Sequence, residues 1–583
     1  MKKDPPAAPE HPAVPAPACA PVARGVHSAR SVLSALAALL LSTAPPASAT
    51  PSGAAPTWVL FRDRGACGAA DRAAPAPSSR ALERRAKAAR ERAALGVPAS
   101  TDPDEDCDPC AAYVDAVVAA GGALRTRSRW LNAVSVDADR AALEGIRALP
   151  FVLETRPVAQ FSRDELASPP GAQTPDAADE FDLGPAARQL DMLHVPEAHA
   201  MGYHGEGVLV CVLDTGFELG HEALAQLSVR AEYDFIHGDD DPSDDPRTDL
   251  PGQSNHGTQV LSILAGYAPG RLVGPAYRAE FMLGKTERIG VELPIEEDYW
   301  CAGVEWAEAM GADVLSSSLS YPSFYRWHDM DGRTAAATRA ANLAAERGLI
   351  IANSAGNQGP GEGRIGPPAD APGVISVGAV DANGRIAAFS TPGPTWDRRV
   401  KPDVSAMGVQ VTHVVPRTRD RYGRGNGTSY STPLVAGCIA LVLEAHPDWG
   451  PEMVREAVVM SADRVSRPDN RYGWGVVNVR DAILYPQIEG RVTDFTTREP
   501  VARARITWEP AGAVDTSLAV RSDSPARGET GVDSTGAYVI PSLPRGAYRL
   551  HVRADGYLDA ASEPIEVPPG IGDVSFELRY RGR

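Results

Sequence analysis

Val208-Leu209-Val210-Cys211-Val212-Leu213-Asp214-Thr215-Gly216 drives six consecutive apolar residues into an acid and a glycine. A strand with one wet face would alternate, so an unbroken apolar run of this length predicts a strand buried on both faces. Residues 314–319, 349–352 and 374–380 repeat the pattern, and amphipathic stretches at 295–310 and 334–347 lie between them. Apolar strands joined by helices predict a parallel sheet covered on both sides. In such sheets the crevice beyond the strand C-termini carries the site, which is where Asp214 falls.

The pattern changes on either side of this middle region. Upstream, the spacing predicts strands at 57–62, 133–136 and 151–154, with helices at 80–94, 111–120 and 139–149, a small α/β sandwich of the split βαβ kind. A stretch rich in Pro, Ala, Gly and acid over 164–182 is a linker by composition. Downstream, alternating runs at 488–494, 504–508, 537–540, 548–553 and 574–578, separated by Gly- and Pro-containing turns, predict a small antiparallel β-sandwich.

The first 49 residues are expected to be an export signal. Arg24 and Arg30 precede the apolar run 32–41, and Ala47-Ser48-Ala49 offers a small-x-small cleavage site. That run is shorter than the ~20 apolar residues a bilayer requires. The 583 residues carry 57 basic and 75 acidic side chains, a formal charge of −18, which argues against nucleic-acid or anionic-membrane partners. An exported, extracellular protein follows. In that setting Cys107-Asp108-Pro109-Cys110 is expected to be a local disulfide in a surface loop, while Cys211 and Cys438 sit in apolar runs as packing residues.

Two more segments carry reactive side chains. Ser254-Asn255-His256-Gly257-Thr258 opens a helix running to Gly266, and Gly427-Thr428-Ser429-Tyr430-Ser431-Thr432-Pro433 opens an apolar helix over 434–445. Singly, each has an ordinary reading as a turn, a cap or a structural histidine. Together they give Asp, His and Ser in the chain order of one convergent solution to the catalytic triad.

At these residues the chain resembles the subtilisin-like serine peptidases, over roughly residues 182–485. The resemblance implies that Asp214 orients the base, His256 is the general base, Ser429 is the nucleophile and Asn357, in Ser354-Ala355-Gly356-Asn357, is the oxyanion-hole donor. It implies that Ser318-Leu319-Ser320 pairs with the substrate backbone and walls the primary pocket. Ser320 stands where the family usually has Gly, and Met407 where it favours Pro. No acid can be set at the pocket base, which leans the expected specificity towards broad or apolar side chains.

The implied architecture is α/β: a subtilisin-like parallel sheet with helices on both faces, an α+β pro-domain before it and an antiparallel β-sandwich after it. The expected boundaries are 1–49 signal, 57–161 inhibitory pro-domain, 162–181 linker with the cleavage, 182–485 peptidase, and 487–583 β-sandwich. That last unit resembles the carboxypeptidase regulatory-like domain through Gly536-Ala537-Tyr538 and Leu543-Pro544-Arg545-Gly546. The implied partners are protein or peptide substrates and the chain's own pro-domain as inhibitor. The chemistry needs no cofactor. The acidic run Gly238-Asp239-Asp240-Asp241-Pro242-Ser243-Asp244-Asp245 supplies hard oxygen donors that suit a structural Ca2+, and it equally suits a solvated loop. An inert peptidase domain serving adhesion is the competing reading, which the intact set of four catalytic positions argues against.

Overall fold

The computed structural model describes residues 54–65, 76–97, 106–159, 182–289, 296–322, 325–361, 365–515, 526–567 and 572–581. The expected export signal and most of the linker lie outside the described residues. At the centre is a seven-stranded sheet built from β5 (Leu209–Asp214), β6 (Ser228–Asp234), β7 (Glu280–Lys285), β8 (Val314–Ser317), β9 (Ile350–Ser354), β10 (Val374–Val380) and β11 (Val404–Met407). Its order is β11-β10-β9-β8-β5-β7-β6 and every pairing is parallel.

Sequence order reverses at β5, between β8 and β7, so the crevice opens beside the C-terminal end of the strand that carries Asp214. All six residues of β5 are buried, as its unbroken apolar run requires. The continuous runs at β5, β8, β9 and β10 were legible for the same reason. β6 was not, because Arg230 and Glu232 interrupt a strand at the sheet edge.

Five longer helices complete this region: α4 (Asn255–Ala265), α5 (Glu297–Met310), α6 (Ala336–Glu346), α7 (Thr428–Ala445) and α8 (Pro451–Met460). One face of the sheet packs with α4, α7 and α8 in a core that includes Val210, Val212, Leu434, Val435 and Ile439. The other face packs with α5 and α6 through Leu209, Cys211, Leu213, Trp300 and Ala340. Cys211 and Cys438 are buried thiols in these cores. Each fully buried Val or Leu contributes about 1.5–3 kcal/mol. Helix α7 is long and apolar enough to cross a membrane by composition, and nine-tenths of it is buried in this core.

The N-terminal region pairs β1 (Ala55–Phe61), β2 (Ala123–Ser128), β3 (Ala133–Ala138) and β4 (Val152–Pro157) in the antiparallel order β2-β3-β1-β4. Helices α2 (Ala111–Ala119) and α3 (Arg140–Arg147) cover one face through Val114, Val117 and Ile146. A further helix, α1 (Ser79–Ala94), lies apart and packs against α5, α6 and α8. The expected local disulfide is corrected here: Cys110 is disulfide-bonded while Cys107 remains a thiol, so the two are not joined to each other. Cys110 stands at the N-cap of α2 and is buried, with its sulfur beside Gly65, where a Cβ would lie 3.1 Å from it. After the peptidase region, strands 488–494 and 505–515 anchor two small sheets around Ile506, Tyr548, Leu550 and Val552.

Candidate active site

Three strand ends and two helix starts meet at the C-terminal edge of the central sheet. Asp214 closes β5 and is fully buried. Its Oδ1 accepts from Thr215 N at 2.7 Å and lies 2.7 Å from His256 Nδ1. Its Oδ2 is buried with no hydrogen-bond partner among the described residues. His256 stands in the first turn of α4. Helix and strand can approach this closely because residue 257 is glycine: a Cβ there would sit 2.1 Å from Gly216 O and 3.2 Å from Asp214 Cβ.

The first turn of α4 is braced from outside. Ser254 N donates to Asp244 Oδ1 at 2.6 Å, and the Ser254 hydroxyl donates to the same oxygen. Gln253 Nε2 donates to Thr215 O at 2.8 Å, tying the helix start back to the strand end.

Ser429 lies in the first turn of α7, a helix that starts at Thr428 rather than at Leu434. Pro433 sits inside it and has no N–H, so the carbonyl four residues earlier, that of Ser429, loses its helical donor. Ser318 Oγ fills that place, donating to Ser429 O at 3.0 Å. In return the Ser429 hydroxyl points at Ser318 O, 3.4 Å away. No bond from Ser429 Oγ to His256 is present among the described residues; catalytic hydrogen bonds are commonly loose without substrate.

Asn357 follows β9. Its Oδ1 accepts from both Thr428 N and Thr428 Oγ1 at 2.9 Å, which fixes the amide and leaves Nδ2 turned away from those donors. Gly427 has φ +150°, a backbone that favours glycine. A Cβ on it would lie 3.6 Å from Asn357 Nδ2 and 3.7 Å from Ser429 N. Two N–H donors therefore flank one small space, kept open by the absent side chain.

Of the expected substrate strand, Ser318, Leu319 and Ser320 continue β8 and are all buried. Leu319 O accepts from Asn353 Nδ2 at 2.9 Å. The Ser320 hydroxyl has no hydrogen-bond partner among the described residues, and a Cβ at Gly366 would come within 2.6 Å of it. Gly366 and Ser320 thus face each other across a narrow gap.

Other contributors gave no sequence signal. Tyr430 donates to Gln259 Oε1 at 2.8 Å and brings its ring to 6.1 Å from the His256 ring. On its other side, stacked at 5.4 Å, lies His413, which burial holds down at about 4, so it adds no positive charge beside His256 near neutrality.

The acidic loop is organised by an internal cation. Lys285, at the end of β7, is fully buried, with its ammonium 2.9 Å from Asp234 Oδ2 and 2.5 Å from Asp249 Oδ2. Ser243 O lies 3.2 Å away. Asp244 is committed to Ser254 and Arg417. These donor sets do not converge on a metal: among the described residues no three acidic, histidine or cysteine side chains form such a group.

The sequence is similar to known proteins across the same span. The Subtilase family model matches residues 205–475. Subtilisin from Bacillus pumilus is 32% identical over 304 residues, covering 50% of this chain and 97% of that protein. The chain belongs to the subtilase family. Subtilisin amylosacchariticus of Bacillus subtilis subsp. amylosacchariticus is 29% identical over 371 residues, 63% of this subtilase and 85% of the relative. Among solved structures, fervidolysin from Fervidobacterium pennivorans matches with a TM-score of 0.53 and 19% identity, covering 91% of this chain and 78% of its own, a likeness of fold. The flanking units of the subtilase match the Peptidase S8 propeptide domain, Bacteroidota, over 56–173 and the Carboxypeptidase regulatory-like domain over 487–579. The chain is a subtilisin-like serine peptidase with its propeptide.

Proposed function

We propose that this peptidase is an exported endopeptidase that cuts proteins through an acyl-enzyme on Ser429 and is made as a self-processing zymogen. The observation that carries the reading is the buried 2.7 Å contact between Asp214 Oδ1 and His256 Nδ1, set beside a helix start that holds Ser429. With Nδ1–H donated to the carboxylate, His256 Nε2 is the acceptor face of the ring. It takes the proton as Ser429 Oγ bonds to the scissile carbonyl carbon. The carbonyl electrons move to oxygen, and that oxyanion is met by Ser429 N and Asn357 Nδ2. Collapse expels the amine, which takes the proton from His256. Water then repeats the sequence and frees Ser429. No cofactor enters any step.

Ser318 to Ser320 would pair with the substrate backbone, and the Ser320–Gly366 gap would favour small or slender side chains in the pocket beside it. Residues 57–161 would form the inhibitory region, cut away within 162–181. Wild type and Ser429→Ala expressed in a host without competing peptidases test this. Wild type should yield a mature chain beginning inside that window, and the variant should persist as precursor. Equal processing of both would refute self-cleavage.

A further inference from the structure

Helix α1 belongs in sequence to the N-terminal region but packs as part of the peptidase. Its buried stripe is Ala81, Arg84, Ala88 and Glu91, spaced to face one side of the helix. Arg84 is 3% exposed. Its guanidinium donates to Glu308 O at 2.9 Å, to Ala312 O, and to Arg347 O at 3.3 Å. Those carbonyls end α5 and α6, where a helix runs out of intrahelical donors and the dipole is negative.

Glu91 does the converse at α8. Its carboxylate accepts from Met453 N at 2.9 Å and Glu452 N at 3.1 Å, in a helix whose own N-cap, Gly450, makes no side-chain bond. Arg84 and Arg85 also hold both oxygens of the fully buried Glu308 carboxylate, at 2.6 Å each.

The peptidase surface is shaped for this helix. A Cβ at Gly311 would fall 2.8 Å from Arg80 Cβ, one at Gly348 would fall 2.9 Å from Arg84 Cγ, and one at Gly450 would fall 2.2 Å from Glu91 Oε2. Glycine stands at each of the three helix ends that α1 touches. The four-stranded sheet docks elsewhere, on the flank of α5, through Arg125 to Asp298 and Ser128 to Glu305.

We propose that α1 is a capping element of the working peptidase, retained on it after the inhibitory sheet has gone; because α1 lies between β1 and β2 in the chain, this requires peptide bonds to be hydrolysed on both sides of it, within 62–78 and 95–122, as well as within 162–181. The partner of the surface formed by the ends of α5, α6 and α8 is residues 79–94 of this chain. The retention half of the proposal rests on the self-processing reading; the capping half does not.

Two measurements decide it. Wild-type full chain is left until activity stops rising, the active species is isolated by size exclusion, and its components are weighed after denaturation. A fragment containing residues 79–94 should accompany the peptidase one to one, and the Arg84→Ala/Glu91→Ala chain should lose it. Fully active peptidase free of that fragment overturns retention. In parallel, hydrogen exchange is followed in uncut Ser429→Ala and in the same chain with Glu91→Ala. Exchange at Glu452 and Met453 should quicken about fivefold, the loss of one cap. Unchanged exchange there overturns capping. A wild-type chain that is never cut refutes self-processing instead, and the exchange result still rules on the cap.

Discussion

The contact between Glu305 and the N-terminal sheet makes docking of that region sensitive to pH. Glu305 lies on α5 and is 6% exposed beneath the sheet. Ser128 Oγ donates to its carboxylate at 2.6 Å, and the Arg129 guanidinium lies 3.3 Å away. Burial outweighs these partners and pushes Glu305 up to about 7. With the sheet gone the carboxyl faces water and returns towards its ordinary 4.5. A raised pKa means that the docked state holds the proton more tightly. The stabilisation is complete below about pH 4.5 and is lost as pH rises through about 7. A shift of ~2.5 units corresponds to at most about 300-fold in dissociation constant across that window.

Glu297, raised by burial on α5, and Glu91, raised by burial where α1 meets α8, act in the same direction on the severed fragment, which carries both contacts. Asp106, which Arg85 draws below its usual value, titrates at lower pH. The assay uses the Ser429→Ala chain cut within 162–181 by an added endoprotease. The off-rate of the severed N-terminal fragment is read by exchange against labelled fragment from pH 5 to pH 8. It should rise at least tenfold, and Glu305→Gln should remove most of the slope. Identical slopes for the two chains would refute the reasoning.

Asn357→Ala should lower kcat by about 10²–10³ with little change in KM, the span measured for the oxyanion asparagine of a related subtilisin; steady-state kinetics on a peptide substrate check it. Gly427→Ala should cut turnover at least as far, since the new Cβ would enter the space between Asn357 Nδ2 and Ser429 N; an active Gly427→Ala enzyme would show that this space is not used. Lys285→Met leaves the buried Asp234 and Asp249 with His237 as their remaining basic partner and should cost about 3–5 kcal/mol in denaturant melts.

Residues that act through the backbone pattern were legible in the sequence. Asp214 ends an apolar run and His256 and Ser429 open helices, which the pattern shows, although α7 begins at Thr428 rather than at Leu434; their joint roles came from the resemblance to the subtilisin-like peptidases. What stayed hidden depends on contacts between distant segments. Strand β2 carries Arg125 and Ser128 to meet Asp298 and Glu305 on α5, so it lacks an apolar alternation to read. Nothing in the acidic run 238–245 says that Ser243 O meets the ammonium of Lys285, 42 residues later. Helix α1 was recognisable as a helix, but nothing local in it says that Arg84 and Glu91 cap helices more than 200 residues away.

The central claim is that Ser429 is made nucleophilic by His256 and Asp214. Labelling the processed protein with a fluorophosphonate, followed by peptide mass spectrometry, tests it most directly. One adduct is expected, on Ser429, formed in step with loss of activity and abolished by His256→Ala in a folded chain cut within 162–181 by an added endoprotease. An active enzyme that takes no label at Ser429, or that labels equally well without His256, would contradict it.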